Sequence, residues 1–353
     1  MLELQDNLFN SRRSRDQSKL KLWRYAGLML TYRCSAACRF CYYYCSPRAS
    51  GLMSVDTAIQ SWEGLVRLAG ESAKVHITGG EPFLYFDRLA QICKKASQLG
   101  LTPPDSIETN AGSWNSPSEL TDQLRFLDDC GLDHLKVSWD PFHEEFIEID
   151  KVRQFIHLAR EALGPDRVLV RWEKHLTQPT RIQELGAEGK KRILLAALDM
   201  DSCRFTGRAA ESLAPLVAQH PAEDFRFQNC QNALLGSKGV HVDPDGNVFN
   251  GQCSGMIVGN VNQTPLDVLW RAFEPDRADF WKVLYGKGPF GLLEKAQGDG
   301  FRPRGRYASK CHLCSDIRRF FFDKRTYSTI IGPHDCYGKH NSQDGGCLCP
   351  VVE

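Results

Sequence analysis

Three cysteines, Cys34, Cys38 and Cys41, fall in one short stretch, Cys-Ser-Ala-Ala-Cys-Arg-Phe-Cys. Thiolates are soft ligands suited to iron–sulfur clusters and zinc. A four-iron cluster normally takes one thiolate per iron, so three would leave one iron open to an exogenous ligand. Open catalytic metal sites keep a position free in this way. A structural zinc site usually shows two C-x2-C pairs, whereas this loop has one; zinc or a set of buried thiols is the alternative.

A second group lies in the other half of the chain. Cys230 precedes a strand–turn–strand pattern centred on Asp245-Gly246, a hairpin signal, and Cys253 follows it. Cys311 and Cys314 come later in a C-x2-C pair. These four can converge on one tetrahedral or cubane site, so zinc and a saturated four-iron cluster both remain open there. Cys93 and Cys130 sit on helical patterns and read as core. Cys45 lies close enough to Cys41 to confuse ligand assignment. Cys336, Cys347 and Cys349 belong to a Gly-, His- and Cys-rich tail.

The elements that must position these groups alternate. Strands are expected at 24–32, 74–78, 106–110, 135–139, 168–172 and near 202–206. Helices are expected at about 54–70, 86–99, 117–130, 148–163 and 180–197. Strands separated by helices imply right-handed βαβ units and a parallel sheet. Six units are too few for a closed eightfold barrel, so the fold class is α/β: a partial (β/α)6 TIM-like barrel. A smaller C-terminal α+β domain would carry the hairpin and its cysteines. The expected division is an N-terminal arm at 1–22, loosely docked, then 23–212 and 213–353.

In parallel barrels chemistry sits on the loops after the strand C-termini. The cysteine loop shares that edge with Gly79-Gly80-Glu81-Pro82, with Glu108, Thr109 and Asn110, and with Ser138 and Asp140. Arg171 is a polar residue within an apolar strand, suited to a carboxylate partner inside or outside the protein. His143, Glu144 and Glu145 follow on the same edge. A general acid or base among them is one reading and a solvated helix start the other.

The 353 residues carry 42% hydrophobic and 25% charged residues with net charge +1, so no global charge draws nucleic acid or an anionic membrane. Apolar runs fall short of the ~20 residues that cross a bilayer, and no secretory signal is expected at the N-terminus. Fourteen cysteines grouped at ligand spacings point to reduced thiols in a cytoplasmic, low-oxygen setting.

The C-x3-C-x2-C spacing, with Phe40 before its last cysteine, resembles the signature of radical S-adenosylmethionine (SAM) enzymes. The segment Gly79-Gly80-Glu81-Pro82 is similar to the segment that holds the methionine amino group in that superfamily. The resemblance implies a [4Fe-4S] cluster on Cys34, Cys38 and Cys41. Gly79, Gly80, Glu81, Thr109, Asn110, Ser138, Asp140, Arg171 and Phe40 would surround SAM, and a donor such as flavodoxin or ferredoxin would supply one electron. The second cysteine group resembles the shortened, twitch form of the SPASM extension, which implies one auxiliary [4Fe-4S] cluster on Cys230, Cys253, Cys311 and Cys314. The full form would continue with cysteines where this chain has Phe320 and Lys324. Relatives with such extensions modify peptides and protein side chains, and some oxidise small carbohydrate-like alcohols. A peptide or protein substrate is the preferred expectation, the small alcohol the second. A thiolate-metal or electron-transfer protein is the reading from another class.

Overall fold

The computed structural model describes residues 2–200, 203–251 and 253–338. Its centre is one open sheet. In chain order the elements are β1 (Tyr25–Met29), α1 (Val55–Ala69), β2 (Lys74–Thr78), α2 (Phe86–Gln98), β3 (Pro104–Thr109), α3 (Pro117–Asp129) and β4 (His134–Ser138). They continue as α4 (Ile149–Leu163), β5 (Val168–Arg171), α5 (Ala187–Met200), β6 (Gly239–Val242), β7 (Asn247–Asn250) and β8 (Ile257–Asn260). Last come α6 (Leu266–Ala272), α7 (Asp279–Gly298), which is broken at Gly288-Pro289, and α8 (Lys310–Asp323).

The strand order is β5-β4-β3-β2-β1-β6-β7-β8. The first six are parallel and the last two turn back antiparallel. The open, mostly parallel α/β sheet is the expected one. Its sixth parallel strand is not, because residues 203–206 form no strand, while 201 and 202 lie outside the described residues. Gly239–Val242, the first strand of the expected C-terminal hairpin, instead pairs with β1, Tyr25 to Gly239 through Leu28 to Val242. Edge backbone groups left by β1 are thereby satisfied, and the hairpin continues the sheet.

Residues on alternate sides of each strand differ sharply. Ala26, Leu28, Val75, Ile77, Ile107, Leu135, Val137 and Val168 are buried beneath the helices. The opposite face of the sheet carries His76, Glu108 and Lys136 on β2, β3 and β4, and His241 on β6, which line a cavity. Parallel strands are usually apolar on both faces, so this polar face needs a cause beyond folding.

Two of the helices begin on serine caps, Ser54 accepting from the Thr57 amide and Ser116 from that of Glu119. The N-terminal arm is docked rather than loose. Buried Asn7 donates to the carbonyls of Trp270 and Phe273 at the end of α6, and Asn10 pins both backbone groups of Leu20. Arg13 stacks on Phe9 and reaches Asp276 at 3.0 Å. Polar composition concealed this, because the buried anchors are asparagines. No helix among the described residues is long and apolar enough to cross a membrane.

Candidate active site

The cysteine loop follows β1 directly. Cys34 and Cys38 are buried and Cys41 is half-buried. All three line one cavity with Gly79, Gly80, Thr109, Asn110, Ser138 and His143. Residues separated by more than a hundred positions thus meet at the strand C-termini, as parallel barrels require. Burial pushes the Cys34 thiol up, as does the Glu81 carboxylate, and Cys38 and Cys41 act in the same direction. Cys41 is pulled down to about 6 by a hydrogen bond from Cys45, with help from the Arg208 guanidinium.

Arg208 is the loop's clamp. Its guanidinium donates to the carbonyls of Cys38 and Cys45 at 2.8 Å each, and its backbone amide donates to that of Cys41 at 2.9 Å. Sequence reasoning passed over this residue, since the signal, an arginine after Gly207, is common.

Gly80 marks where the second loop crosses the first. Its amide donates to the Thr31 carbonyl at 2.6 Å, and the Glu81 amide to that of Arg33 at 2.9 Å. A Cβ on Gly80 would lie 2.0 Å from the Arg33 oxygen, so only glycine fits. With these amides committed, the groups left to meet a ligand ammonium are carbonyls, which have the required acceptor character.

The expected cofactor residues divide into two sets. Glu81 turns its carboxylate inward, accepting from Thr109 Oγ1 and the Asn110 amide at 2.7 Å each and from the Phe83 amide at 3.1 Å. Burial raises its pKa to about 7. Glu81 and Thr109 therefore tie the ends of β2 and β3 together. The Asn110 side chain faces the cysteine loop, its Nδ2 donating to Ser35 Oγ and to Cys34 Sγ. Asp140 caps the one-turn helix Pro141–Glu144, accepting from the amides of Phe142 and His143, and its carboxylate stands 2.9 Å from His143 Nδ1. Phe40, Ser138 and Arg171 do face open space, each lining the larger cavity described below. Phe40 stacks on Phe142 with centroids 5.4 Å apart.

His143 reaches the cysteine cavity. Burial opposes its charge, but Asp140 and Cys38 outweigh that and hold the imidazolium. Glu144 accepts from the Thr180 hydroxyl and the amides of Thr180 and Arg181, and Glu145 pairs with Arg39 at 3.2 Å. Neither is placed as a general acid or base.

Of the second group, Cys230 precedes a short helix, Cys253 follows β7, and Cys311 and Cys314 lie three residues apart at the start of α8. Burial raises the Cys230 thiol, and Cys314, Cys253 and Cys311 each add to the rise, so the four sulfurs share one neighbourhood. Arg318, one turn along α8, contacts Cys314 and donates to the Ser254 carbonyl at 2.6 Å. No trio of His, Cys, Asp or Glu among the described residues is spaced to hold a single metal ion. A cubane spreads its thiolates over four irons, and the soft donor sets of both groups fit one. Cys45 is buried beside Cys41, and Cys336 is buried 4.0 Å from the Tyr32 hydroxyl. Cys347 and Cys349 lie outside the described residues.

Between the two groups lies a cavity of about 760 Å³. Cys41 of the first group and Cys253 of the second both border it, together with Phe40, Tyr42, Tyr43 and the polar sheet face. His76, Lys136 and His241 escaped sequence reasoning. The available signal was a polar residue at every second position of otherwise apolar strands.

Residues 28–164, from the end of β1 through α4, match the family model of the radical SAM superfamily. No curated protein matches the chain. Among solved structures it is similar to BtrN in complex with AdoMet and 2-DOIA, at 16% identity and TM-score 0.48, over 76% of this chain and 90% of that one. It is also similar to native anSMEcpe with bound AdoMet and Cp18Cys peptide, at 14% identity and TM-score 0.42, over 85% and 97%. A third is Streptococcus suis SuiB bound to precursor peptide SuiA, at 15% identity and TM-score 0.32, over 84% and 70%.

Proposed function

We propose that this protein is a radical SAM enzyme acting on a substrate held in the cavity between its two cysteine groups. One observation carries the reading: a single cavity gathers Cys34, Cys38 and Cys41 with Gly79, Gly80 and Ser138. Cys34, Cys38 and Cys41 would hold a [4Fe-4S] cluster, which with SAM bound would supply one-electron reductive cleavage of SAM and hydrogen abstraction from the substrate. The chain's own residues hold the loop through Arg208, present the Gly79 and Gly80 carbonyls to the methionine ammonium, and enclose the reacting carbon away from water.

In this reading residues 1–22 brace α6, residues 23–212 bind SAM, and residues 213–353 hold a second [4Fe-4S] cluster on Cys230, Cys253, Cys311 and Cys314. Four protein thiolates would saturate that cluster and suit it to electron transfer. A small carrier such as flavodoxin or ferredoxin would donate the first electron, in a low-oxygen cytoplasm. Both a peptide side chain and a small carbohydrate-like alcohol present C–H bonds to such a site; the polarity of the cavity walls separates them.

The test is anaerobic reconstitution with iron and sulfide, then SAM and dithionite. The wild-type chain should form 5′-deoxyadenosine and methionine, and C34A/C38A/C41A should form neither. A reconstituted wild-type chain that leaves SAM intact would instead be a thiolate-metal or electron-transfer protein.

A further inference from the structure

The polar face of the sheet carries side chains that SAM cleavage does not employ. His76 on β2 and His241 on β6 flank Gly27 on β1 in register. Their rings meet edge to face with centroids 5.5 Å apart. A Cβ on Gly27 would come within 2.5 Å of both rings, so its absence is what admits two imidazoles to one floor. Two residues further along their strands, Glu108 on β3 and Lys136 on β4 stand opposite each other in register.

These groups are poised for neutral, hydrogen-bonding partners. Burial holds both imidazoles uncharged, His76 at about 4 with His241 adding to the effect. His241 Nδ1 lies 2.9 Å from the Gly251 carbonyl oxygen, which makes Nδ1 the donor and leaves Nε2 a lone pair. His76 is only 7% exposed, and what it exposes lines the cavity. One Glu108 oxygen accepts from Thr78 at 2.9 Å. Polar groups enclosed in this way are ordinarily paired, so a row of them facing a cavity indicates a ligand that pairs them.

A hydroxyl both donates and accepts, so it matches an imidazole lone pair, a carboxylate and an ammonium alike. A peptide recognised by strand addition needs an exposed sheet edge. The sheet edges here are β5 and β8, whereas this row crosses the inner strands β6, β1, β2, β3 and β4. The cavity's size falls in the range of about 300–1,000 Å³ typical of small-molecule sites.

We propose that the cavity takes up whole a small polyhydroxylated molecule of the sugar or cyclitol class, with His76, His241, Glu108 and Lys136 each pairing with a hydroxyl or amino group. The assignment rests on reading this cavity as the substrate site, and it replaces the peptide preference drawn from sequence.

Saturation-transfer NMR on the reconstituted full chain with SAM reads binding without turnover. The probes are myo-inositol, glucose and glucosamine, against an acetylated and amidated Ala-Ser-Cys-Ala peptide. Transfer is expected to at least one of the three polyols, with affinity weakened at least tenfold by H76F and by K136M. The near-isosteric E108Q should weaken the same ligand, and a melting curve for each variant separates lost binding from lost fold. Transfer to the peptide alone, to none of the probes, or to a polyol unaffected by all three substitutions overturns the assignment. Deoxyadenosine formation is scored separately. Its absence, with polyol binding and its variant sensitivity intact, defeats the radical SAM reading and leaves the polyol site standing.

Discussion

The side-chain nitrogen of Asn110 lies 3.4 Å from the sulfur of Cys34, joining the end of β3 to the cysteine loop. The Asn110 amide also donates to Glu81 Oε2, so one residue couples the Gly-Gly-Glu-Pro turn to the thiolates. Hydrogen bonds to cluster sulfurs are among the determinants of reduction potential. Asn110→Ala removes a donor that favours the more negative, reduced state. The reconstituted variant should have a lower potential than wild type, read by an EPR-monitored redox titration, with iron content unchanged. An unshifted potential would mean that Asn110 only shapes the loop.

Glu81 makes stability depend on pH. Its folded pKa, about 7, lies above the ordinary carboxylate value of 4.5, so between those values the folded chain binds more protons than the unfolded one. Its contribution is therefore full below about pH 4.5 and is lost as pH rises through about 7. At ~1.4 kcal/mol per unit of pH within that window, stability should fall by about 2 kcal/mol from pH 5.5 to pH 8. Urea midpoints for the wild type should record this fall, and Glu81→Gln should flatten it.

Arg208→Met leaves the Cys38 and Cys45 carbonyls without their shared donor while keeping most of the stem's packing. Hydrogen bonds to charged groups are worth roughly 1.5–3 kcal/mol each, and Arg208 is only half-buried, so the expected loss is about 2 kcal/mol. A lowered urea midpoint at constant slope would show it. The same variant should lose iron from the first site faster under chelator challenge.

Removing the first cysteine set by C34A/C38A/C41A should leave about four irons per reconstituted chain on the second set. Iron and zinc analysis of that variant checks the prediction. One tightly held zinc in place of iron would convert the second site into a structural centre.

Much of the site could be read in the chain because it rests on local spacing. Cys34, Cys38 and Cys41 are close in sequence, so a single turn brings their sulfurs to one cavity. The Gly79-Gly80 pair announces a backbone contact that no side chain would allow. The helices over 55–69, 86–98, 117–129 and 149–163 follow from amphipathic spacing, the first with a serine cap at Ser54. Glu81, Thr109 and Asp140 were found as polar strand-end groups, but their orientation was not legible. A carboxylate at a strand end can serve a ligand or a neighbouring amide equally well, and here the amides take it.

What the sequence determined by itself was the donor chemistry and the order of the loops on one sheet edge, since both depend on residue type and short spacing. What only the tertiary structure decided was which distant strand lies beside β1. Pairing of β6 with β1 joins residues more than two hundred positions apart, and nothing local encodes it. That pairing brings His241 against His76 across Gly27 and puts both on the cavity that Cys41 and Cys253 border. The same packing turned an arm of polar residues into a docked brace, because Asn7 and Asn10 find backbone carbonyls that only the folded chain presents.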